Sequence, residues 1–132
     1  WETVAGAQAI AAEIGATVEA AVFGSNIAGI AQEIAAKKVA KVYAIESPKL
    51  AKYEPDGVVA ALKDFISQKK PALVLMPHTY QVRDFAPQLA TALQRTLISD
   101  STAFHKSGDK LVFTRQMFQG KFAADVSFAC PR

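Results

Sequence analysis

Ala72-Leu73-Val74-Leu75-Met76 is an unbroken apolar run held between Pro71 and Pro77. A half-buried strand alternates apolar and polar residues, so a run with no polar position has no face to give to water. Such a segment fits the middle of a parallel sheet that is covered by helices on both sides. Upstream of it, helix-period and strand-period stretches alternate. That order predicts right-handed crossovers and an α/β fold, a three-layer doubly wound domain built on a mostly parallel sheet.

The chain opens with a helix pattern in which Val4, Ala7, Ala11 and Ile14 share one face, with Thr3 as a candidate cap and Gly15 as its end. Residues 17–23 form a β-rich run. Ser25 or Asn26 then offers a cap to a second helix with the stripe Ile27, Ile30 and Ile34, closed by Lys37-Lys38. Residues 39–45 read as the next strand and 48–52 as a connection with one helical turn. Pro55 suits the first turn of a third helix that turns Val58, Leu62, Phe65 and Ile66 inward. After the apolar run, Asp84 is the expected N-cap of a fourth helix with Phe85, Leu89, Ala92 and Leu93 buried. Pro87 would then be its third residue, where a missing N–H costs nothing.

Beyond Leu97-Ile98 the texture changes to short β-runs at 102–105, 111–115 and 121–128, with Ser107-Gly108-Asp109 as a turn between the first two. The last run sets Phe122, Ala124, Val126 and Phe128 against Ala123, Asp125 and Ser127. One dry and one wet face indicate an antiparallel extension at the C-terminal end of the sheet.

A length of 132 residues suits a single α/β domain, expected over 1–132, that buries about two-thirds of its unfolded surface. The 15 basic and 12 acidic residues are interspersed, and Lys37-Lys38 and Lys69-Lys70 fall at expected helix ends where cations complement the dipole. This pattern offers no nucleic-acid surface. Cys130 is the only cysteine, so an internal disulfide is excluded, and with only His78 and His105 as histidines an inert thiol is expected. No stretch reaches the roughly 20 apolar residues that membrane insertion needs. No basic-then-apolar signal peptide opens the chain, so a reducing, cytoplasmic setting is expected. Opening on Trp1 rather than a methionine, the chain reads as part of something longer.

A direct search finds no GxGxxG and no GxxxxGK[ST] phosphate loop. Gly24-Ser25-Asn26-Ile27-Ala28-Gly29 has two glycines at a helix start but no lysine, and reads as an ordinary strand-to-helix turn. In a doubly wound sheet the ligand rim lies beyond the carboxyl ends of the strands. Here that rim contains residues 24–26, Glu46-Ser47 and residues 77–80, where His78, Thr79 and Arg83 could hold a phosphate at a helix start. A partnerless surface histidine is the simpler reading of His78, and a cap beside an interface arginine is the simpler reading of Asp84 and Arg83. No catalytic centre emerges, because Glu13, Glu19, Glu33 and Glu46 lie on different elements. Thr114-Arg115 and Gly120-Lys121 flank Gln116-Met117-Phe118-Gln119. Met and Phe between cations read as an interface loop, with hairpin packing as the equal alternative. Arg83, Arg115, Phe118 and Lys121 are therefore the candidate partner or interdomain contacts.

Several of these stretches share one register with a known family. Leu73-Val74-Leu75-Met76-Pro77, then Val82-Arg83-Asp84-Phe85-Ala86-Pro87, then Ile98-Ser99-Asp100 resemble the amino-terminal domain of the electron transfer flavoprotein alpha subunit. Ala40-Lys41-Val42-Tyr43, Phe113-Thr114-Arg115-Gln116 and Phe118-Gln119-Gly120-Lys121 extend the likeness over nearly the whole chain. The sequence departs from the pattern where Val82 and Gln119 replace glycines, Arg95 stands where a glycine is usual after the helix, and Gln116 replaces a proline.

The resemblance implies an adenine nucleotide alpha-hydrolase-like fold and a fragment lacking the family's first strand and its C-terminal FAD-binding domain. It also implies a non-catalytic scaffold in an electron carrier. That carrier would be a heterodimer with a beta subunit, taking electrons from dehydrogenases and passing them through FAD to a quinone-linked oxidoreductase. The compartment would be the cytoplasm, or the mitochondrial matrix in a eukaryote. The family's FAD motifs match nothing here, so this fragment is expected to hold no FAD by itself. A stand-alone adenine-nucleotide-binding module on the strand-end rim, and a small hydrolase or ligase of the related fold, are the alternative readings.

Overall fold

Two compact units share the chain in the computed structural model, which describes residues 1–129. The first is Trp1–Lys70 and the second starts at Pro71.

In the first unit the order is α1 (Glu2–Ile14), β1 (Glu19–Gly24), α2 (Ala28–Ala35), β2 (Lys41–Glu46), a short 3-10 turn (Pro48–Leu50) and α3 (Pro55–Lys69). β1 and β2 pair in parallel, in register from Glu19 opposite Lys41 to Gly24 opposite Glu46. Both strands start two residues later than their β-rich runs suggest, because a ladder begins only where both chains are aligned. Helix α2 crosses between them and packs against both, the βαβ connection that parallel strands require. The core residues of this unit are Ile10, Ala11, Ile27, Val58 and Leu62. Each lies on the apolar stripe of its helix or at the entry to it, apart from Ile10, which the spacing argument leaves out.

Glycine and proline punctuate these helices as expected. Gly15 closes α1 in the left-handed conformation, φ 66°, with its N–H on the Ala11 carbonyl. Pro55 starts α3, and Lys69 occupies its last turn with its ammonium 4.5 Å from the centroid of the Tyr43 ring, which itself meets Phe65 edge-on. The expected side-chain caps are not made. Thr3 lies inside α1, whose N-cap is Trp1, and Ile27 precedes α2 without a side-chain cap. Asn26 is instead left-handed, φ 57°, a region its short polar side chain tolerates.

The second unit contains α4 (Tyr80–Ala92) and the strands β3 (Ser101–Ser107), β4 (Lys110–Met117) and β5 (Phe122–Ser127). These strands form an antiparallel sheet in the order β3-β4-β5. Leu111 and Phe113 are buried on it, and Phe85, Ala86 and Leu89 are buried on α4. The β3–β4 hairpin turns through Gly108 at φ 60°, with Ser107 paired to Lys110. A single positive φ at the first central residue of a two-residue loop is the type II′ pattern, which suits the twist of the strands and favours glycine.

Two expectations fail in this unit. Residues 72–76, expected as a central strand, join no ladder among the described residues, and the strands form two separate sheets, one parallel and one antiparallel. An apolar run shows that a segment tolerates burial on both sides. A strand is a property of a pair, however, and the run does not supply its neighbour. The second failure is the start of α4. Its N-cap is Thr79, whose hydroxyl accepts from the Val82 N–H at 3.3 Å, so Asp84 is a helical residue and Pro87 lies well inside the helix. Replacing Thr79 with alanine removes that acceptor and is expected to lower stability by about 1 kcal/mol, read as a shift in the urea midpoint at unchanged slope.

Candidate functional site

The rim turn after β1 is closed by the chain itself. The Asn26 N–H, which in a phosphate-binding turn would face the anion, donates to Glu46 Oε1 at 2.8 Å. The Ser47 N–H donates to the Gly24 carbonyl at 3.1 Å, tying the end of β2 to the same turn. A Cβ on Gly24 would come within 2.9 Å of Ile27 Cγ2, so this glycine serves a close internal approach rather than a ligand. These residues do not fit the phosphates of a nucleotide or of FAD, because a carboxylate already takes the backbone donor.

The other half of the expected rim is also committed. His78 has a partner, with Nε2 3.7 Å from Asp100 Oδ1 and both side chains about half exposed, which corrects its reading as a solitary surface histidine. Thr79 is used as the helix cap, and Arg83 is exposed on α4. His105 lies exposed within β3. Among the described residues no three histidine, cysteine or acidic side chains converge as a metal site would need. Cys130 lies outside the described residues. No helix among them is long and apolar enough to cross a membrane.

Of the four candidate contact residues, the structure brings three to one place. Arg115, Phe118 and Lys121 belong to the β4–β5 hairpin and its tip, whereas Arg83 lies on α4. The tip is a four-residue loop closed by Met117 opposite Phe122, with the Lys121 N–H on the Phe118 carbonyl at 3.2 Å. Phe118, Gln119 and Gly120 all have positive φ, at 52°, 55° and 82°. Gln119 stands where the family pattern has glycine, which fits the left-handed backbone found there. The same logic fails elsewhere. Val82 is helical, and after α4 the left-handed residue is Gln94, φ 54°, one position before Arg95.

The tip is apolar and open. Phe118 is 70% exposed and Phe122 65%, and their rings meet edge-on with centroids 5.7 Å apart. Met117 is also exposed. Phe122 is therefore the one member of the alternating set Phe122, Ala124, Val126 and Phe128 that is left exposed. Arg115 carries a signal that its sequence position does not reveal: its Nε is buried and has no hydrogen-bond partner.

Comparisons with known proteins agree with the resemblance read in the sequence. A family model described as the electron transfer flavoprotein domain matches residues 1–132. The electron transfer flavoprotein subunit alpha of Syntrophomonas wolfei is 39% identical over 119 residues, covering 90% of this chain and 38% of that protein. The subunit alpha of Bacillus subtilis is 39% identical over 98 residues, covering 74% of this chain and 30% of that protein. A protein of Acetobacterium woodii named lactate dehydrogenase (NAD(+),ferredoxin) subunit LctC is 32% identical over 127 residues, covering 96% of this chain and 30% of that protein. The chain thus spans well under half the length of each of these relatives.

Proposed function

Since the chain belongs to the electron transfer flavoprotein domain family, we propose that it is the amino-terminal scaffold of an alpha subunit, a non-enzymatic component of a cytoplasmic electron carrier. The observation that carries this reading is the family match over residues 1–132 together with a strand-end turn that holds its own carboxylate. A domain built this way supports a flavin held elsewhere and does no redox chemistry itself. FAD, bound by sequence outside this chain, supplies the electron-accepting ring system. The parallel strands β1 and β2 belong to a three-layer doubly wound sheet in this reading. Arg83, Arg115, Phe118 and Lys121 face the beta subunit or the flavin domain.

In this reading the carrier accepts electrons from dehydrogenases and passes them to a quinone-linked oxidoreductase. A second reading of the electron route has its own support. The name of the Acetobacterium woodii relative pairs lactate dehydrogenation with NAD(+) and ferredoxin, so the acceptor can be soluble rather than quinone-linked. The full-length protein coexpressed with its beta-type subunit is expected to be yellow. Its flavin should be bleached by a substrate-reduced dehydrogenase and recover on adding a quinone-linked acceptor. Recovery with ferredoxin or NAD(+) alone selects the second route, and a colourless complex overturns both.

A further inference from the structure

We propose that the β4–β5 hairpin tip is a docking plug for an apolar socket edged by carboxylates on the beta-type subunit, an inference that rests on the alpha-subunit reading above. The register places Arg115, Met117, Ala124 and Phe122 on the same face of the sheet as Leu111 and Phe113. That face is buried at Leu111 and Phe113 and runs uncovered to the tip at Met117 and Phe122. The dry side of the sheet therefore extends past its own core, and Phe118 enlarges it at the turn.

Three features point to a protein as the occupant. The backbone that displays Phe118 is costly, since two consecutive non-glycine residues are left-handed and a bulky aromatic is one of them. Among the described residues the ring that Phe118 meets is the exposed Phe122. Residues 115–122 contain two ionisable groups, Arg115 and Lys121, both cationic. The nearby Asp125 belongs to the opposite face, where it accepts from Thr114 Oγ1 at 2.6 Å. A complementary surface is therefore acidic around an apolar centre. Arg115 lies on this same face, and an arginine at the edge of an apolar patch suits a carboxylate of a folded partner. Aromatic and arginine anchors at the centre of a desolvated patch are also the residues that carry most of the energy in protein interfaces.

The test uses the full-length protein and the beta-type subunit, purified separately and mixed in a titration calorimeter. The double variant Phe118→Ser with Phe122→Ser is expected to weaken association by about 30-fold or more, the scale of losing an interface anchor. Arg115→Gln is expected to weaken it about 10-fold and to flatten its salt dependence. Phe118→Asn keeps a residue that tolerates the left-handed turn, so it should retain the wild-type melting temperature while losing affinity. Wild-type affinity in all three variants overturns the plug and leaves the alpha-subunit reading standing. No association of the wild-type pair overturns that reading and the plug with it. Phe118-dependent capture by phosphatidylserine-containing vesicles, with subunit affinity unchanged, overturns the protein socket in favour of a membrane.

Discussion

Truncating Phe85 to alanine is expected to cost about 3–5 kcal/mol, the largest loss available from a single side chain here. Phe85 is 1% exposed and is the largest fully buried side chain among the described residues. Its removal takes away both the transfer of a ring out of water and the contacts around the space it leaves. Against a total stability of about 5–15 kcal/mol for an ordinary domain, that is a third or more of the whole at the middle of the range and nearly all of it at the low end. Chemical denaturation followed by circular dichroism measures it directly. Phe122→Ala is the internal comparison, because a ring 65% exposed is expected to contribute about 1 kcal/mol or less. Similar losses for the two variants would mean that α4 is not the buried element the structure describes.

The second large effect has the opposite sign. Pro87→Ala is expected to stabilise the protein by about 1–3 kcal/mol. With Thr79 as the cap, the Arg83 carbonyl faces position 87 in the helical pattern, and proline offers it no N–H. Alanine restores that donor and removes the clash of the ring with the preceding turn. The Thr91 hydroxyl, which donates to the Pro87 carbonyl at 2.9 Å, is unaffected. Had the helix started at Asp84, Pro87 would lie in the first turn and the same substitution would be neutral or slightly destabilising, since proline there only restricts the unfolded chain. The change in the thermal midpoint therefore reports where the helix begins.

That contrast shows what the sequence made legible and what it did not. Phe85 and Leu89 belong to the same buried stripe whether the helix starts at Tyr80 or Phe85, so periodicity identified the core without locating the end. Thr79 and Asp84 are both good caps, and choosing between them depends on which N–H each oxygen meets. Gly15, Pro55 and Gly108 were readable because each restricts or frees φ at one position, a local property that survives into the fold. Residues 72–76 were misread as a ladder because their apolar pattern carries no information about a neighbouring strand. At the hairpin, exposed Met117 and Phe118 between Arg115 and Lys121 could be picked out from residue types. The uncompensated Nε of Arg115 could not, since it depends on what surrounds one atom. The hydrogen bond from Asn26 to Glu46 joins positions 20 residues apart and has no sequence motif.

Glu46 gives the turn at the end of β1 an independence that ligand-built turns lack. Where a loop relies on a nucleotide for its anion, its order rises and falls with the concentration of that metabolite, through mass action on the folded state. Here the counter-charge is covalently part of the chain, at fixed stoichiometry and without a dissociation constant. For a part whose proposed task is to support a flavin held elsewhere, that constancy is worth more than responsiveness.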